Sequence, residues 1–277
     1  MKTLETPLHK PLLATSGTLD APLSPRERFA RVMHYQTVDR LPHMEFGYWQ
    51  SLKDRWYREG YLPADIARNG DGVISDLAVE TWFGCERRIT ISPQIGPGPL
   101  RPVEVLEERE GKIIYRDGLG VLCEEVKDGI RSIPHFLEFP VRDRRSWASF
   151  RDEFLALDAE WRTPTDEWLF DRAREARYSP YPVGVGFGSF IGWIRDWVGF
   201  ENLAYLSHDD PDLLEEMVAH LTALKLKYLP PLLERIPFDF AAGWEDIAFN
   251  SGPILSPRIF KEIILPHMRP VMTLLRQ

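Results

Sequence analysis

The sequence predicts an α/β protein assembled from β/α units, with a run of antiparallel strands inserted between them. Three observations carry this. The segment FDFAAGWEDIAFNSGPILSPRIFKEIILPHM, from Phe238 to Met268, begins as an apolar run and reaches two adjacent carboxylates, Glu245 and Asp246. A Gly-Pro loop then leads to Ser256-Pro257 at the head of an amphipathic helix. Strand, acidic loop and capped helix form a β/α unit with its polar groups at the strand's C-terminal end. Tyr181 to Phe187, a compact apolar run leading into GSFIGWIRDWVGF, repeats that layout. Between residues 98 and 140, short β-prone runs alternate with Glu110-Gly111, Asp117-Gly118 and Asp128-Gly129. Such dipeptides mark the turns of an antiparallel meander.

The elements follow in chain order. Residues 1–23 have no apolar core segment of the kind a signal peptide needs and are expected to form a flexible tail. Ser24-Pro25-Arg26-Glu27 is a capping box opening a helix through Phe29, Val32 and Met33. Leu41 to Phe46 is expected to be the first strand, closed by Gly47, and Tyr48-Trp49 begins a helical stretch that Gly60 ends. Pro63-Ala64-Asp65 looks like another helix start, and Asp71-Gly72 is a turn. Leu77 to Phe83 fits a short strand or a helix, because length does not arbitrate between them. Val103 to Leu106, Lys112 to Arg116 and Gly120 to Val126 supply the meander. Ile133 to Pro140 reads as an apolar loop bracketed by prolines. A helical, charged region over 141–180 carries the stripe Trp147, Phe150, Phe154 and Leu155. Asp210-Pro211 caps a long helix with Leu213, Leu214, Met217, Val218 and Leu221 on one side, and Pro230-Pro231 interrupts it. With strands near 41, 77, 183 and 238, the chain holds about four β/α units.

A hydrophobic content of 44% with 27% charged residues is that of a globular protein, and the net charge of −8 argues against nucleic acid or an anionic membrane as the main partner. No apolar run approaches the roughly 18–20 residues of a membrane span. Cys85 and Cys123 form no CxxC and no disulfide framework, which fits a reducing, cytoplasmic setting. The seven histidines have no ligand-like spacing. The last helix reaches Gln277 without a Gly cap, and a parallel sheet of four strands would leave an open edge. The expectation is either a fragment or a smaller open α/β sheet.

Three segments are similar to the uroporphyrinogen decarboxylase superfamily, which includes the haem-pathway decarboxylases and the methylcobamide:coenzyme M methyltransferases. Glu27-Arg28-Phe29 through Val38-Asp39-Arg40-Leu41-Pro42 resembles the family's opening ERF…VDR-P pattern. Gly184 to Val198 resembles its third strand and following loop. Ser251-Gly252-Pro253 through Ile264-Leu265-Pro266 resembles its GP-ISP--F-EF-LPY pattern, the most specific of the three. The resemblance implies a TIM (β/α)8-barrel family fold, present here as an incomplete barrel over 24–277 with the meander of 98–140 inserted, and a site at the barrel's C-terminal face. Of the functions it implies, methyl transfer from a small methylated compound, linked to a corrinoid partner protein, is the expected one, with decarboxylation in porphyrin biosynthesis and non-catalytic binding of a tetrapyrrole or metabolite as alternatives. It also implies zinc in the methyltransferase branch, with ligands that would lie beyond residue 277.

Departures from the family weigh on the reaction. Where the decarboxylases carry the arginines of MRQAGRY for substrate carboxylates, this chain has Met44-Glu45-Phe46-Gly47-Tyr48-Trp49. An acidic residue there disfavours a substrate with eight carboxylates. The family's tyrosine after strand three falls on Asp196, and its serine after strand four near Asp246. Asp76 is the nearest candidate for its pyrrole-binding aspartate. The candidate catalytic residues are therefore Glu245, Asp246 and Glu45. Tyr48, Arg195, Asp196, Trp193, Trp244 and His135 are the candidates for substrate binding. Against these stand ordinary structural roles: a loop carboxylate capping a helix, an ion pair on a first helical turn, a packed tryptophan. Gly184, Gly186 and Gly188 mimic a GxGxG, which close strand packing explains equally well.

Overall fold

The computed structural model describes residues 22–127 and 133–277. Residues 1–21 of the expected tail and the Asp128-Gly129 turn lie outside the described residues, while Leu23, which the expectation put in the tail, is buried and bonded to Arg28 and Asp39. Chain order begins with α1 (Pro25–Met33), α2 (Gln50–Arg58) and α3 (Asp76–Trp82), then β1 (Ile89–Ile91). The meander follows as β2 (Glu104–Arg109), β3 (Lys112–Arg116), β4 (Leu122–Val126) and β5 (His135–Glu138). Next come α4 (Arg144–Phe154), α5 (Asp166–Tyr178), β6 (Val183–Gly188), α6 (Ile191–Val198), α7 (Phe200–Asp209), α8 (Pro211–Tyr228) and α9 (Pro230–Arg235). The chain continues through β7 (Phe240–Gly243), the short pair β8 (Ala248–Phe249) and β9 (Gly252–Pro253), then α10 (Pro257–Ile259) and α11 (Leu265–Leu274). A single π-helical stretch, Phe260–Ile264, joins the last two helices.

The strands form a parallel sheet β1-β6-β7, an antiparallel sheet β2-β3-β4-β5 and the β8-β9 pair. The fold is thus mixed α/β, and the described strands close no barrel. Capping chemistry sets the helix starts as the sequence predicts. Ser24 accepts from the Glu27 amide, Asp210 from Leu213, and Ser256 from Ile259. The reciprocal half of the box at Ser24 is replaced, since Glu27 pairs with Arg31 one turn on.

One expected strand is not a strand, and the stretch left open between strand and helix is helical. Leu41 to Phe46 runs without a ladder, and its backbone tie is the Glu86 amide donating to the His43 carbonyl at 2.6 Å. Leu77 to Phe83 falls largely within α3, where Val79 packs with Leu62, Ile66 and Ile74 in a small cluster of its own. The strand that pairs with β6 is instead Ile89–Ile91, three residues long and too short to stand out in the sequence. Pro63 to Asp65 opens no helix, and the proline-bracketed stretch after Ile133 contains β5 rather than a plain loop.

Register places Thr90, Gly184 and Phe240 side by side across the parallel sheet, with Gly186 beside Ala242. Alternation puts Ile91, Val183 and Val185 on the opposite face, where all three are buried. Val185 belongs to the main core with Phe190, Ile194, Trp197, Leu214, Leu221 and their neighbours from α4, α6, α7, α8 and α11. A Cβ at Gly184 would run into the Phe240 ring, and one at Gly188 into Trp193. The glycine series therefore serves close packing.

The resemblance segments have clear physical roles. Arg28 of the first is 3% exposed. Its guanidinium forks onto Asp39 with two bonds of 2.6 Å and reaches Glu86 at 2.7 Å and the Leu23 carbonyl at 2.8 Å. That bidentate pairing holds the Asp39 carboxyl well below the usual range. The Gly252-Pro253 of the third segment is β9, and its Ser256-Pro257 is the capped start of α10.

Candidate functional site

The face of the parallel sheet that carries Thr90 and Gly186 opens into a recess of about 540 Å³. Phe46, Trp193, Phe240 and Trp244 supply its aromatic lining, Thr90 and Ser92 its hydroxyls, and Arg88 a cation. Arg88 makes no hydrogen bond or ion pair among the described residues, whereas most arginines here have a carboxylate or carbonyl partner. The recess wall at Ile95 and Gly96 is held by Arg162 from behind. This guanidinium, 1% exposed, donates to the carbonyls of Gln94 at 2.7 Å, Gly96 at 2.8 Å, Phe154 at 2.7 Å and Ala156 at 3.0 Å. It meets no carboxylate there, so burial lowers its pKa to about 10.

At the C-terminal ends of β6 and β7 Glu245, Asp246, Arg195 and Asp196 come together, each carboxylate with its own partners. Glu245 turns away from solvent onto the start of α6. It accepts from the amides of Phe190 at 2.6 Å, Ile191 at 2.9 Å and Gly192 at 3.1 Å, and from the Ser189 hydroxyl at 2.9 Å. The N-cap residue Phe190 offers no side-chain acceptor and the Ser189 hydroxyl takes only the Trp193 amide, at 3.3 Å, so Glu245 fills the role of an N-terminal anion. Asp246 points the other way, with its side chain 64% exposed, and takes a 3.0 Å bond from Arg195. Arg195 also contacts Asp196 at 3.2 Å. Partial burial pushes the Asp196 carboxyl above the usual range, Asp246 and Asp117 add to the push, and Arg195 opposes it. Among the candidate carboxylates, Asp196 is thus the one whose surroundings raise its pKa, although its side chain is 43% exposed.

The remaining candidates spread out. Trp193 and Trp244 line the recess. Glu45 stands 3.6 Å from His43, and Tyr48 contacts Cys85 and the Trp56 ring. Asp76 pairs with Lys53 at 2.6 Å. His135 sits on β5 with its side chain 72% exposed, and its charged neighbour is Glu124 at 3.9 Å. Nothing ties it to the strand-end group.

Sequence reasoning missed Lys225. It is fully buried on α8, donates to the Ser189 carbonyl at 2.8 Å, and lies 4.2 Å and 4.6 Å from the ring centres of Phe190 and Trp193. Its position four residues after Leu221 and seven after Val218 placed it on the buried stripe, a signal the spacing already contained. Burial drives its pKa down to about 7, with the nearby Glu245 charge opposing. In the unfolded chain the group returns to about 10.4. Between those values the unfolded state binds more protons, so this lysine makes stability rise with pH from about 7 to about 10 and level off below. Lys225→Met is expected to flatten that rise in urea midpoints taken from pH 6 to pH 10. An unchanged slope would assign the effect to other groups.

No protein-family model, curated protein or solved structure matches the chain. Among the described residues, no helix is long and apolar enough to cross a membrane. Among the same residues, no group of three or more His, Cys, Asp or Glu side chains is arranged to hold a metal ion.

Proposed function

We propose that the chain is an incomplete β/α barrel of the uroporphyrinogen decarboxylase superfamily whose site takes a small planar substrate. Methyl transfer with a corrinoid-carrying partner is the preferred reaction, and tetrapyrrole decarboxylation the less favoured one. The observation that carries this reading is the recess on the parallel sheet, with four aromatic side chains around one unpaired arginine, Arg88. Aromatic walls suit a flat apolar body, and one free guanidinium suits one carboxylate or similar anion. A porphyrinogen with eight carboxylates would need more cations than this face offers. The open face of a parallel sheet, which such sheets normally cover, supports the incomplete-barrel part of the reading. The corrinoid would supply the methyl carrier. The chain's own contribution would be to seat the substrate against Trp193 and Trp244, with Asp196 on α6 as the candidate acid–base group.

The engagement of Glu245 with α6 favours one second reading, a barrel face that binds a metabolite without turning it over. Two assays decide. Incubation with uroporphyrinogen is expected to give no coproporphyrinogen, and its appearance would sink the methyl-transfer preference. Asp196→Asn is expected to lower demethylation of a methoxylated aromatic acid at least a hundredfold, in the presence of a methyl-accepting corrinoid protein, while ligand affinity changes less than threefold. Binding of that acid with no turnover in the parent protein would instead establish the binding module.

A further inference from the structure

Apart from the recess, the 43–48 segment and the turn after α3 bring three reactive side chains together. Cys85 Sγ lies 3.7 Å from His43 Nε2 and 3.8 Å from the Tyr48 hydroxyl. Glu45 Oε1 lies 3.6 Å from the same His43 nitrogen. Backbone bonds fix the arrangement from both sides. The Cys85 amide donates to the Glu80 carbonyl at 2.8 Å, closing α3, and the Glu86 amide donates to the His43 carbonyl at 2.6 Å. Gly84, at φ +69°, makes the turn that presents the thiol. Cys85 is partly exposed, so a small molecule can reach it.

We propose that Cys85 is a peroxide-reactive thiol, with His43 as its proton acceptor, Tyr48 as hydrogen-bond donor, and a small neutral hydroperoxide as its co-reactant. His43 takes the thiol proton, and Glu45 stabilises the resulting imidazolium. The thiolate attacks the terminal oxygen of the hydroperoxide. A sulfur–oxygen bond forms as the oxygen–oxygen bond breaks, and the departing alkoxide takes the proton from the imidazolium. Sulfur is oxidised by two electrons to a sulfenic acid, and the hydroperoxide is reduced to an alcohol, or to water if it is hydrogen peroxide. Burial first and Cys85 second push the Tyr48 phenol above its ordinary range, so it stays protonated and can donate to the departing oxygen. Glu45 and Glu80 bear on the same phenol and make the approach acidic, which disfavours anionic disulfides and leaves a neutral oxidant as the fitting class.

The chain carries its own control. Cys123 is 2% exposed, and burial pushes its thiol up to about 11. The test treats the whole chain with hydrogen peroxide and dimedone at pH 7 and maps the adduct by mass spectrometry, with iodoacetamide alkylation measured alongside. The expected result is sulfenic acid at Cys85 and none at Cys123, formed at least tenfold faster in the folded chain than at Cys85 of the urea-unfolded chain. His43→Asn is expected to slow both reactions at least tenfold. Tyr48→Phe is expected to slow the peroxide reaction at least tenfold more than alkylation, because iodide leaves without a proton. Equal rates in folded and unfolded chain overturn the proposal without relying on any variant. Equal rates for the parent and a folded His43→Asn protein overturn it as well.

Discussion

Glu245→Ala will lower the stability of the folded chain by about 2–4 kcal/mol, whatever it does to activity. The carboxylate accepts from three consecutive amides and one hydroxyl at the start of α6. Alanine leaves those amides without an acceptor where the chain is partly closed to water. It also removes the charge that opposes the burial penalty of Lys225. Glu245→Gln keeps one acceptor oxygen but not the charge, and should recover about half of the loss. Urea denaturation of the three proteins at pH 7 measures this. A loss below about 1 kcal/mol for alanine would show that water caps the helix equally well. The result also bears on function, because a fall in turnover on replacing Glu245 will report a displaced α6 as readily as a lost catalytic group. Asp196, which caps nothing, is the cleaner probe.

Arg162→Met will cost about 3–5 kcal/mol, the range for breaking a buried charged hydrogen-bond network. Methionine fills much of the volume but leaves the Gln94, Gly96 and Ala156 carbonyls facing an apolar side chain. Arg162→Lys keeps the charge, but an ammonium cannot reach four carbonyls in the plane that the guanidinium spans, so most of the loss should remain. Because Ile95 and Gly96 line the recess, ligand affinity should fall along with the melting temperature in both variants. A lysine variant as stable as the parent would show that charge, rather than the fork, holds this wall.

Much of the architecture was legible because local chemistry fixes it. Glu110-Gly111 and Asp117-Gly118 mark turns of the meander, and Glu110, Gly111 and Gly120 adopt positive φ there. Ser24, Asp210 and Ser256 start their helices, and Pro230 restarts one after Tyr228. The misreadings fall where tertiary context decides. Leu77 to Phe83 carries β-branched and aromatic residues that suit a strand, yet Val79 is wanted by the cluster of Leu62, Ile66 and Ile74, and Asp76 suits a helical first turn. Leu41 to Phe46 has strand composition but no neighbour to pair with. β1 is three residues long and is held in place by β6, some 90 positions further along the chain.

The site divides the same way. That Glu245, Asp246, Arg195 and Asp196 gather at strand ends followed from the β/α layout. Which partner each side chain finds did not, because the partners lie about 50 residues apart in sequence. Lys225 shares the helical spacing of Leu221 and Val218, so its burial was readable in principle, whereas Arg162 lies in no such periodic stripe and only the packing around it reveals it as an interior strut.

The bond from Glu245 to the first turn of α6 also sets an order of events. A helix with a local cap can begin to form as soon as its own residues are in place. At α6 the local side-chain acceptor is the Ser189 hydroxyl, on the Trp193 amide at 3.3 Å, and the acceptor for the Phe190, Ile191 and Gly192 amides arrives 53–55 residues later, after α7, α8 and α9, at the end of β7. Its opening turn therefore gains full stability only once β7 has docked beside β6. Such a distant closure is slow to find and condenses late. The first turn of α6 is therefore expected to become rigid together with the β6–β7 pairing rather than before it.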